Sequence, residues 1–129
     1  MSPNDRQYTK EHEWIIVEDP PAGRALVGIT EYAQEQLGDV VYFDLPETGH
    51  NIRQMEKMGE VESVKAVSDL FSPVSGEIIE VNTDLIDHPE LVNEDPYNKG
   101  WIMRVNMTNP AELDSLMSAE EYESYISGL

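Results

Sequence analysis

The chain has 129 residues, 40% of them hydrophobic, and it carries 26 acidic against 8 basic residues for a formal net charge of −18. This length and apolar fraction predict one folded domain over residues 1–129. The negative field repels nucleic-acid phosphates and anionic lipid surfaces, so we expect neither nucleic acid nor membrane as a partner. The sequence has no cysteine, which excludes disulfides, thiol nucleophiles and thiolate metal sites.

Targeting and metal signals are weak in this sequence. Residues 1–5 have no apolar run that would suit a signal peptide, and no segment approaches the ~20 apolar residues needed to cross a bilayer. We therefore expect a cytoplasmic protein. The three histidines, His12, His50 and His88, lack ligand spacing, so we expect no metal site.

Six stretches have the composition or alternation of β-strands and end in turn-forming residues. The predicted strands are 12–17, 25–29, 40–45, 58–64, 77–81 and 101–105. The third is a nearly continuous apolar run, which predicts a strand buried on both faces. Residues 83–98 are rich in Asp, Pro and Asn and predict a loop with one helical turn.

A short helix is predicted between the second and third strands. Thr30 suits the N-cap position and Gly38 suits the C′ position. The helix therefore spans Glu31–Leu37, with Ala33 and Leu37 directed toward the core.

The C-terminal segment 109–129 changes to a helical period. Asn109 and Pro110 form a strong helix start, and Ser118 with Glu121 forms a capping box before a second helix. One side of that second helix is apolar through Tyr122, Tyr125, Ile126 and Leu129. We expect this side to pack on a sheet, with docking of a partner as the alternative.

Lys65 is the most distinctive side chain in the sequence. It is the only lysine between Lys57 and Lys99, an interval that has no arginine and contains ten carboxylates. Val64 favours a strand, and the small Ala66 leaves room for a partner to approach. A lysine on a tight strand-to-strand turn would project into solvent, where an enzyme could acylate it.

One internal repeat is present. The pattern Pro-x-x-Gly-x-x-Ile occurs at 46–52 and again, 27 residues later, at 73–79. It fits a sandwich whose halves are related by a pseudo-two-fold axis, and chance agreement in common turn chemistry is the alternative. Its glycines, Gly49 and Gly76, lie 16 residues before and 11 residues after Lys65.

The stretch 62–66, Glu-Ser-Val-Lys-Ala, resembles the lipoylation motif of the glycine cleavage system H-protein family, with Lys65 at the lipoyl position. The resemblance extends from about residue 8 to residue 127. Matching segments include His12-Glu13-Trp14, Val27-Gly28-Ile29-Thr30, Leu45-Pro46, Ser72-Pro73-Val74-Ser75-Gly76-Glu77, Leu91-Val92-Asn93, Pro96-Tyr97 and Gly100-Trp101. Segment 53–57 departs from the family, because many relatives have a glycine-containing turn there.

The resemblance implies a mainly β fold, a barrel-sandwich hybrid of two antiparallel sheets with a short internal helix and C-terminal helices. It implies a core of about 8–108 and a helical segment at 109–129. The family acts as a carrier and not as an enzyme, with lipoate attached covalently to Lys65. Its implied partners are a glycine decarboxylase, an aminomethyltransferase, a dihydrolipoamide dehydrogenase, and a lipoate ligase or octanoyltransferase. We expect a monomer, because a shuttle must dissociate between partners.

The resemblance also implies roles for individual residues around the carrier lysine. A loaded lipoyl arm ends in a cationic amine, and the expected carboxylate contacts for that amine are Glu13, Asp69 and Glu11. The residues expected to be recognised during lipoylation are Glu62, Val64, Ala66, Gly49 and Gly76.

A distinctive lysine also occurs in proteins with other functions. A Schiff-base lysine needs a lowered pKa, and the surrounding carboxylates act in the opposite direction. A biotin carrier normally has methionines beside its lysine, whereas here Val64 and Ala66 flank it. A lipoyl relay protein that donates lipoate to other acceptors, and a purely structural interaction domain, stay open as alternatives.

Overall fold

The computed structural model describes residues 2–129. Its strands are β1 (Gln7–Tyr8), β2 (Glu13–Asp19), β3 (Arg24–Ile29), β4 (Val40–Asp44), β5 (Asn51–Ile52), β6 (Lys57–Ser63), β7 (Val67–Phe71), β8 (Gly76–Val81) and β9 (Met103–Met107). They form a six-stranded sheet in the order β1-β2-β3-β9-β8-β5 and a three-stranded sheet in the order β4-β6-β7, with every pairing antiparallel. The predicted barrel-sandwich fold of two antiparallel sheets is confirmed.

The helices are short and lie between or after the strands. They are α1 (Glu31–Leu37), α2 (Asp84–Asp87), α3 (Leu91–Glu94), a 3-10 helix (Pro110–Ser115) and α4 (Ala119–Ser127). The predicted bounds of α1 are confirmed, and the Thr30 hydroxyl oxygen accepts the N–H of Ala33 at 3.1 Å. Segment 83–98 contains two helical turns where one was predicted. None of the helices within residues 2–129 has both the length and the apolar character that a bilayer crossing requires.

The apolar core lies between the two sheets. Alternation along each strand directs Val27 and Val105 of the large sheet toward Phe43 and Val61 of the small one, and all four are buried. Ala33 and Leu37 of α1 pack against this core from one side, as predicted.

Strand β4 differs from its prediction. The register shifts between the pairs Val40↔Ser63 and Tyr42↔Glu62, so Val41 has no partner across the strand pair and forms a bulge. Val40 and Phe43 are buried, whereas Val41 and Tyr42 are 49% and 59% exposed. The prediction of a strand buried on both faces is wrong, because β4 is an edge strand with one face toward solvent.

The two copies of the internal repeat pair with each other as β5 and β8. The pairs are Asn51↔Glu77 and Ile52↔Gly76, a register that a two-fold axis between the copies would preserve. Their glycines differ in backbone conformation, however. Gly49 has φ 92° in a turn, whereas Gly76 begins a strand, where a Cβ would lie only 2.2 Å from the carbonyl oxygen of Asn106. The repeat therefore fits the predicted pseudo-two-fold axis in its pairing but not in its turns.

The C-terminal helix packs against β1 of the six-stranded sheet. The capping box predicted for Ser118 and Glu121 is present, with bonds of 2.9 and 3.2 Å. Tyr122 is fully buried and stacks on Tyr8 at a ring separation of 4.8 Å. Leu129 lies beyond the end of α4 and is 65% exposed, so its predicted packing is wrong.

Two further sequence predictions have structural outcomes. Among residues 2–129 the side chain of Asn109 makes no capping hydrogen bond, and the helix after it is of the 3-10 type. In segment 53–57, Met55 adopts the left-handed conformation with φ 63°. A non-glycine residue therefore occupies a backbone conformation that favours glycine.

Candidate modification site and adjoining cleft

Lys65 lies at the tip of the hairpin that joins β6 to β7. Residues 64–66 form the loop, and the Lys65 side chain is exposed to solvent. Within residues 2–129 its ammonium makes no ion pair. The predicted tight turn with a solvent-directed lysine is confirmed. The amine is thus sterically accessible to an acylating enzyme.

Ser63 fixes the conformation of this loop. Its buried Oγ accepts the backbone N–H groups of both Lys65 and Ala66, each at 3.1 Å, and donates to the carbonyl of Ala66 at 3.3 Å. The backbone N–H of Ser63 donates to the same carbonyl at 2.8 Å. A flexible side chain is therefore mounted on a rigid backbone.

A second support comes from the connection between α1 and β4. The N–H of Val64 donates to the carbonyl of Asp39 at 3.0 Å, so all three loop N–H groups are hydrogen-bonded. Gly38 lies beneath the lysine stem, and a Cβ at that position would be 3.2 Å from Cε of Lys65. Its φ of 77° and ψ of −155° are accessible essentially to glycine alone.

Asn93 of α3 holds that connection in place. Its amide nitrogen donates to the carbonyl of Gly38 at 2.8 Å and to the side chain of Gln34 at 3.0 Å. Its side-chain oxygen accepts the N–H of Val40 at 2.9 Å. Asn93 therefore holds Gly38 and Val40, the residues on both sides of Asp39. Because the carbonyl of Asp39 accepts the N–H of Val64, Asn93 indirectly supports the lysine loop.

A cleft of about 320 Å³ begins beside the loop and runs between α1 and the outer edge of β7. Ala66 lies at its loop end. Its apolar walls come from Ile29, Ala33, Leu37, Val61, Val67 and Leu70. The three carboxylates predicted to contact a cationic amine, Glu11, Glu13 and Asp69, all line this cleft. The fold thus brings together residues that are more than fifty positions apart in the chain.

Glu13 is the most deeply buried of the three carboxylates, with 1% of its surface exposed. Thr9 donates its hydroxyl to Oε1 at 2.7 Å, and the backbone N–H of Phe71 donates to Oε2 at 3.2 Å. Burial raises the pKa of Glu13 to about 8. The two hydrogen bonds act in the opposite direction and lower this pKa, but the effect of burial is larger. A cation arriving in the cleft would favour the ionised form.

The other two carboxylates of the cleft are closer to solvent. Asp69 lies on the edge strand β7 and pairs with Lys57, whose Nζ is 3.3 Å from Oδ1 of Asp69 and 2.6 Å from Oε1 of Glu60. Glu11 lies just before β2 and is exposed. The cleft therefore has a buried carboxyl at its inner end and two exposed carboxylates near its opening.

The residues predicted for lipoylation recognition fall into two groups. Glu62, Val64 and Ala66 are exposed on or beside the lysine loop. Gly76 begins β8 of the six-stranded sheet and approaches Asn106, whereas Gly49 lies in the turn before β5, where its N–H donates to the carbonyl of Ile78. The glycine that touches the lysine stem is Gly38, which the sequence identified only as the C′ residue of α1.

Sequence reasoning also missed Ser63 and Asn93 as supports of the loop. A serine two residues before a lysine is a turn signal that could have been used, because short hydroxyl side chains bond nearby backbone groups. Asn93 had no local signal, since its partners belong to segments about 55 residues away.

These residues fit a lipoyl group. The attachment chemistry requires an accessible amine, which Lys65 provides, and the apolar walls of the cleft suit a hydrocarbon arm once the lysine charge is lost. The carboxylates in the cleft suit a cationic end group.

Comparison with known proteins agrees with this geometry. The family model described as glycine cleavage H-protein matches residues 6–128. The glycine cleavage system H protein of Symbiobacterium thermophilum is 54% identical over 95% of this chain and 94% of its own length, and that of Methylacidiphilum infernorum is 52% identical over 96% and 94%. The crystal structure of a glycine cleavage system H protein from Mycobacterium marinum superposes with a TM-score of 0.89 at 45% identity, covering 99% of this chain and 100% of that one. The chain therefore belongs to the glycine cleavage H-protein family, whose members are lipoyl carriers of the glycine cleavage system.

Proposed function

We propose that Lys65 is the residue that carries lipoate, and that the chain is the shuttle of the glycine cleavage system rather than one of its enzymes. The observation that carries the proposal is the exposed Lys65, which forms no ion pair with any described residue and lies on a hydrogen-bonded loop at the end of a carboxylate-lined cleft. When bound, the dithiolane supplies the sulfur that takes up an aminomethyl group, chemistry that a cysteine-free chain lacks.

The attachment changes how the lysine interacts with its surroundings. Amide formation at Nζ removes the positive charge, so the side chain no longer has to stay hydrated. The apolar walls formed by Val61, Val67 and Leu70 are then available to the arm. The hydrogen bonds made by Ser63 fix the backbone from which the arm extends, while the lysine side chain and the lipoyl group beyond it remain free to move.

The cleft carboxylates act on the cargo. Glu13, Asp69 and Glu11 attract the cationic amine at the end of a loaded arm, and the burial of Glu13 offers the amine a place away from bulk water. Removal of the amine restores the unloaded arm, which is held less strongly. The chain itself needs no catalytic group for this role; it shields the cargo and presents it.

The proposed partners follow the order of the glycine cleavage cycle. A pyridoxal-phosphate glycine decarboxylase loads the arm, a tetrahydrofolate-dependent aminomethyltransferase unloads it, and dihydrolipoamide dehydrogenase reoxidises it. A lipoate ligase or octanoyltransferase attaches the lipoyl group or its precursor. We propose that the chain works as a monomer of one carrier domain in the cytoplasm.

Mass spectrometry tests the attachment site. Protein from lipoate-supplied cells should gain the mass of one lipoyl group, and peptide mapping should place that mass on Lys65. Lys65→Arg should show no adduct, whereas Lys57→Arg, which removes a lysine eight residues earlier in the chain, should keep it. A lipoyl adduct on another lysine, or none on the wild type, would refute the proposal.

Reconstitution tests the carrier role. The lipoylated protein, mixed with the decarboxylase, should support glycine-dependent CO₂ exchange, and adding the aminomethyltransferase with tetrahydrofolate should release ammonia. A lipoylated protein that fails in both assays but passes lipoate to other acceptor proteins would instead be a lipoyl relay.

A further inference from the structure

The outer face of the three-stranded sheet carries an apolar row beside Lys65. Tyr42, Glu62 and Val67 are paired across β4, β6 and β7, and Tyr42 and Val67 are each 59% exposed. Val64 in the loop is 67% exposed, and Val41 lies next to Tyr42. Within residues 2–129 these positions account for four of the seven large apolar side chains that are exposed. Exposed apolar residues are thus concentrated around the modification site.

The bulge in β4 creates part of this surface. Regular alternation would direct one of Val41 and Tyr42 into the core, but the extra residue in β4 leaves both exposed. Nothing in the core requires this arrangement, since Val40 and Phe43 fill the inner positions. Exposed apolar groups that cluster in this way mark interaction surfaces.

The next row of the same face is acidic. Asp44 pairs with Glu60, and Glu60 pairs with Asp69, so three carboxylates lie on adjacent strands behind the apolar row. Lys57 neutralises this row only in part, through its bonds to Glu60 and Asp69. With Glu62 in the first row, the face offers apolar contacts near Lys65 and negative charge beyond them. It complements a partner surface with apolar residues at its centre and basic residues at its rim.

The position of this outer face beside Lys65 indicates which of the proposed partners would contact it. An enzyme that acylates Lys65 must bring its acyl donor to Nζ, so its contact surface has to surround the loop and cover the adjoining row. A partner that works on the far end of a long arm can dock at a distance from the loop.

We propose that the face formed by Val41, Tyr42, Glu62, Val64 and Val67, here named the β4–β6–β7 face, is the docking surface for the enzyme that acylates Lys65. The inference rests on the proposed function, because it requires that Lys65 be acylated by an enzyme. Tyr42 is its anchor, since a large, partly polar ring on a rigid strand is the side-chain type that dominates binding energies at interfaces.

Acylation kinetics of the full-length unmodified protein test this proposal. The probe is a purified lipoate ligase that modifies the wild type with lipoate and ATP, followed by intact mass. Tyr42→Ala should raise KM for the carrier roughly tenfold, the loss expected for an interface anchor, with kcat changed less than about twofold. Tyr42→Lys, which adds a cation opposite a basic rim, should raise KM further. Leu129→Ala, which truncates an equally exposed side chain at the C-terminus, should match the wild type.

Two controls separate docking from damage to the loop. The unfolding midpoints of the Tyr42 variants should equal that of the wild type, because the side chain is exposed. Their Lys65 should react with a small acetylating reagent at the wild-type rate, because the loop bonds are intact.

Unchanged KM in both Tyr42 variants would overturn the docking surface while leaving the carrier function in place. A fall in kcat together with slower acetylation of Lys65 would also overturn it, since the effect would then come from the loop. If the wild type itself is not acylated on Lys65, the proposed function fails and the docking proposal fails with it.

Discussion

The hydroxyl oxygen of Ser63 accepts the backbone N–H of Lys65 at 3.1 Å. The same oxygen accepts the N–H of Ala66, so one short side chain closes the loop that presents the lysine. Removing it leaves two loop N–H groups without their protein partner.

Ser63→Ala should therefore slow lipoylation of Lys65 and lower the free energy of unfolding by ~1 kcal/mol. Ser63→Thr, which keeps the hydroxyl, should restore most of the rate. Ser124→Ala on the exposed side of α4 is the matched control and should behave as the wild type. The rates can be measured by intact mass. Equal rates for Ser63→Ala and the control would show that the loop does not need this hydroxyl.

Gly38 is a site where a methyl group should affect both stability and modification. Gly38→Ala forces a side chain into a conformation with φ 77° and places a Cβ 3.2 Å from Cε of Lys65. The strain should cost about 1–3 kcal/mol in urea unfolding, and lipoylation should slow. Gly23→Ala, at φ 71° but in the turn between β2 and β3, should lose stability with an unchanged lipoylation rate. Similar lipoylation by both variants would remove Gly38 from the site.

The burial of Glu13 makes stability depend on pH. Its pKa rises from an ordinary 4.5 to about 8 in the folded protein, so the folded state favours the protonated carboxyl. The contribution of Glu13 to the free energy of unfolding is fully present below pH 4.5 and is lost as the pH rises through 8. In the wild type the free energy of unfolding should therefore fall between pH 5 and 8. Glu13→Gln should reduce the steepness of that fall by up to about 1.4 kcal/mol per pH unit.

Urea unfolding across that pH range measures the effect, with Glu120→Gln as the control for a charge removed from the exposed start of α4. Parallel curves for wild type and Glu13→Gln would show that Glu13 is already ionised throughout, held in that form by the donors Thr9 and Phe71.

Asp69 should protect a loaded arm. Asp69→Asn removes a carboxylate at the cleft opening, so the amine should spend more time in solvent and ammonia should be released faster without tetrahydrofolate. An exposed charge pair is worth up to ~1 kcal/mol, which corresponds to about a fivefold faster loss. The assay is ammonia release from the lipoylated, aminomethyl-loaded protein. Asp114→Asn, outside the cleft, should not change the rate, and equal loss from both variants would exclude a protective role for Asp69.

Tyr122 ties the C-terminal helix to the site. Its hydroxyl hydrogen-bonds Thr30 at 2.7 Å and Nδ1 of His12 at 2.9 Å, joining α4 to the start of α1 and to the turn before β2. Tyr122→Phe should lower the free energy of unfolding by about 1–2 kcal/mol, because the buried Thr30 and the half-buried His12 each lose a hydrogen bond. Tyr42→Phe, which removes an exposed hydroxyl, should have no measurable effect in the same urea titration. A stable Tyr122→Phe would mean that stacking on Tyr8 is sufficient.

Local sequence patterns predicted the elements well where local chemistry decides them. The bounds of α1 follow from Thr30 and Gly38, and the capping box before α4 follows from Ser118 and Glu121. The predictions for β4 and Leu129 failed, because an apolar residue reveals neither which face of its strand the core covers nor whether it lies past the end of a helix. The bulge at Val41 depends on how β4 pairs with β6, which is a long-range property.

The candidate site likewise has features that local sequence decides and features that long-range contacts decide. The sequence by itself determined which lysine is proposed as the carrier, since a lone cation among carboxylates within a Glu-Ser-Val-Lys-Ala stretch is a local feature. Only the tertiary structure decided that Glu13 is buried and that Asn93 supports the loop through Gly38 and Val40. Burial and long-range hydrogen bonds depend on which distant segments the folded core places side by side, and local residue patterns do not specify that.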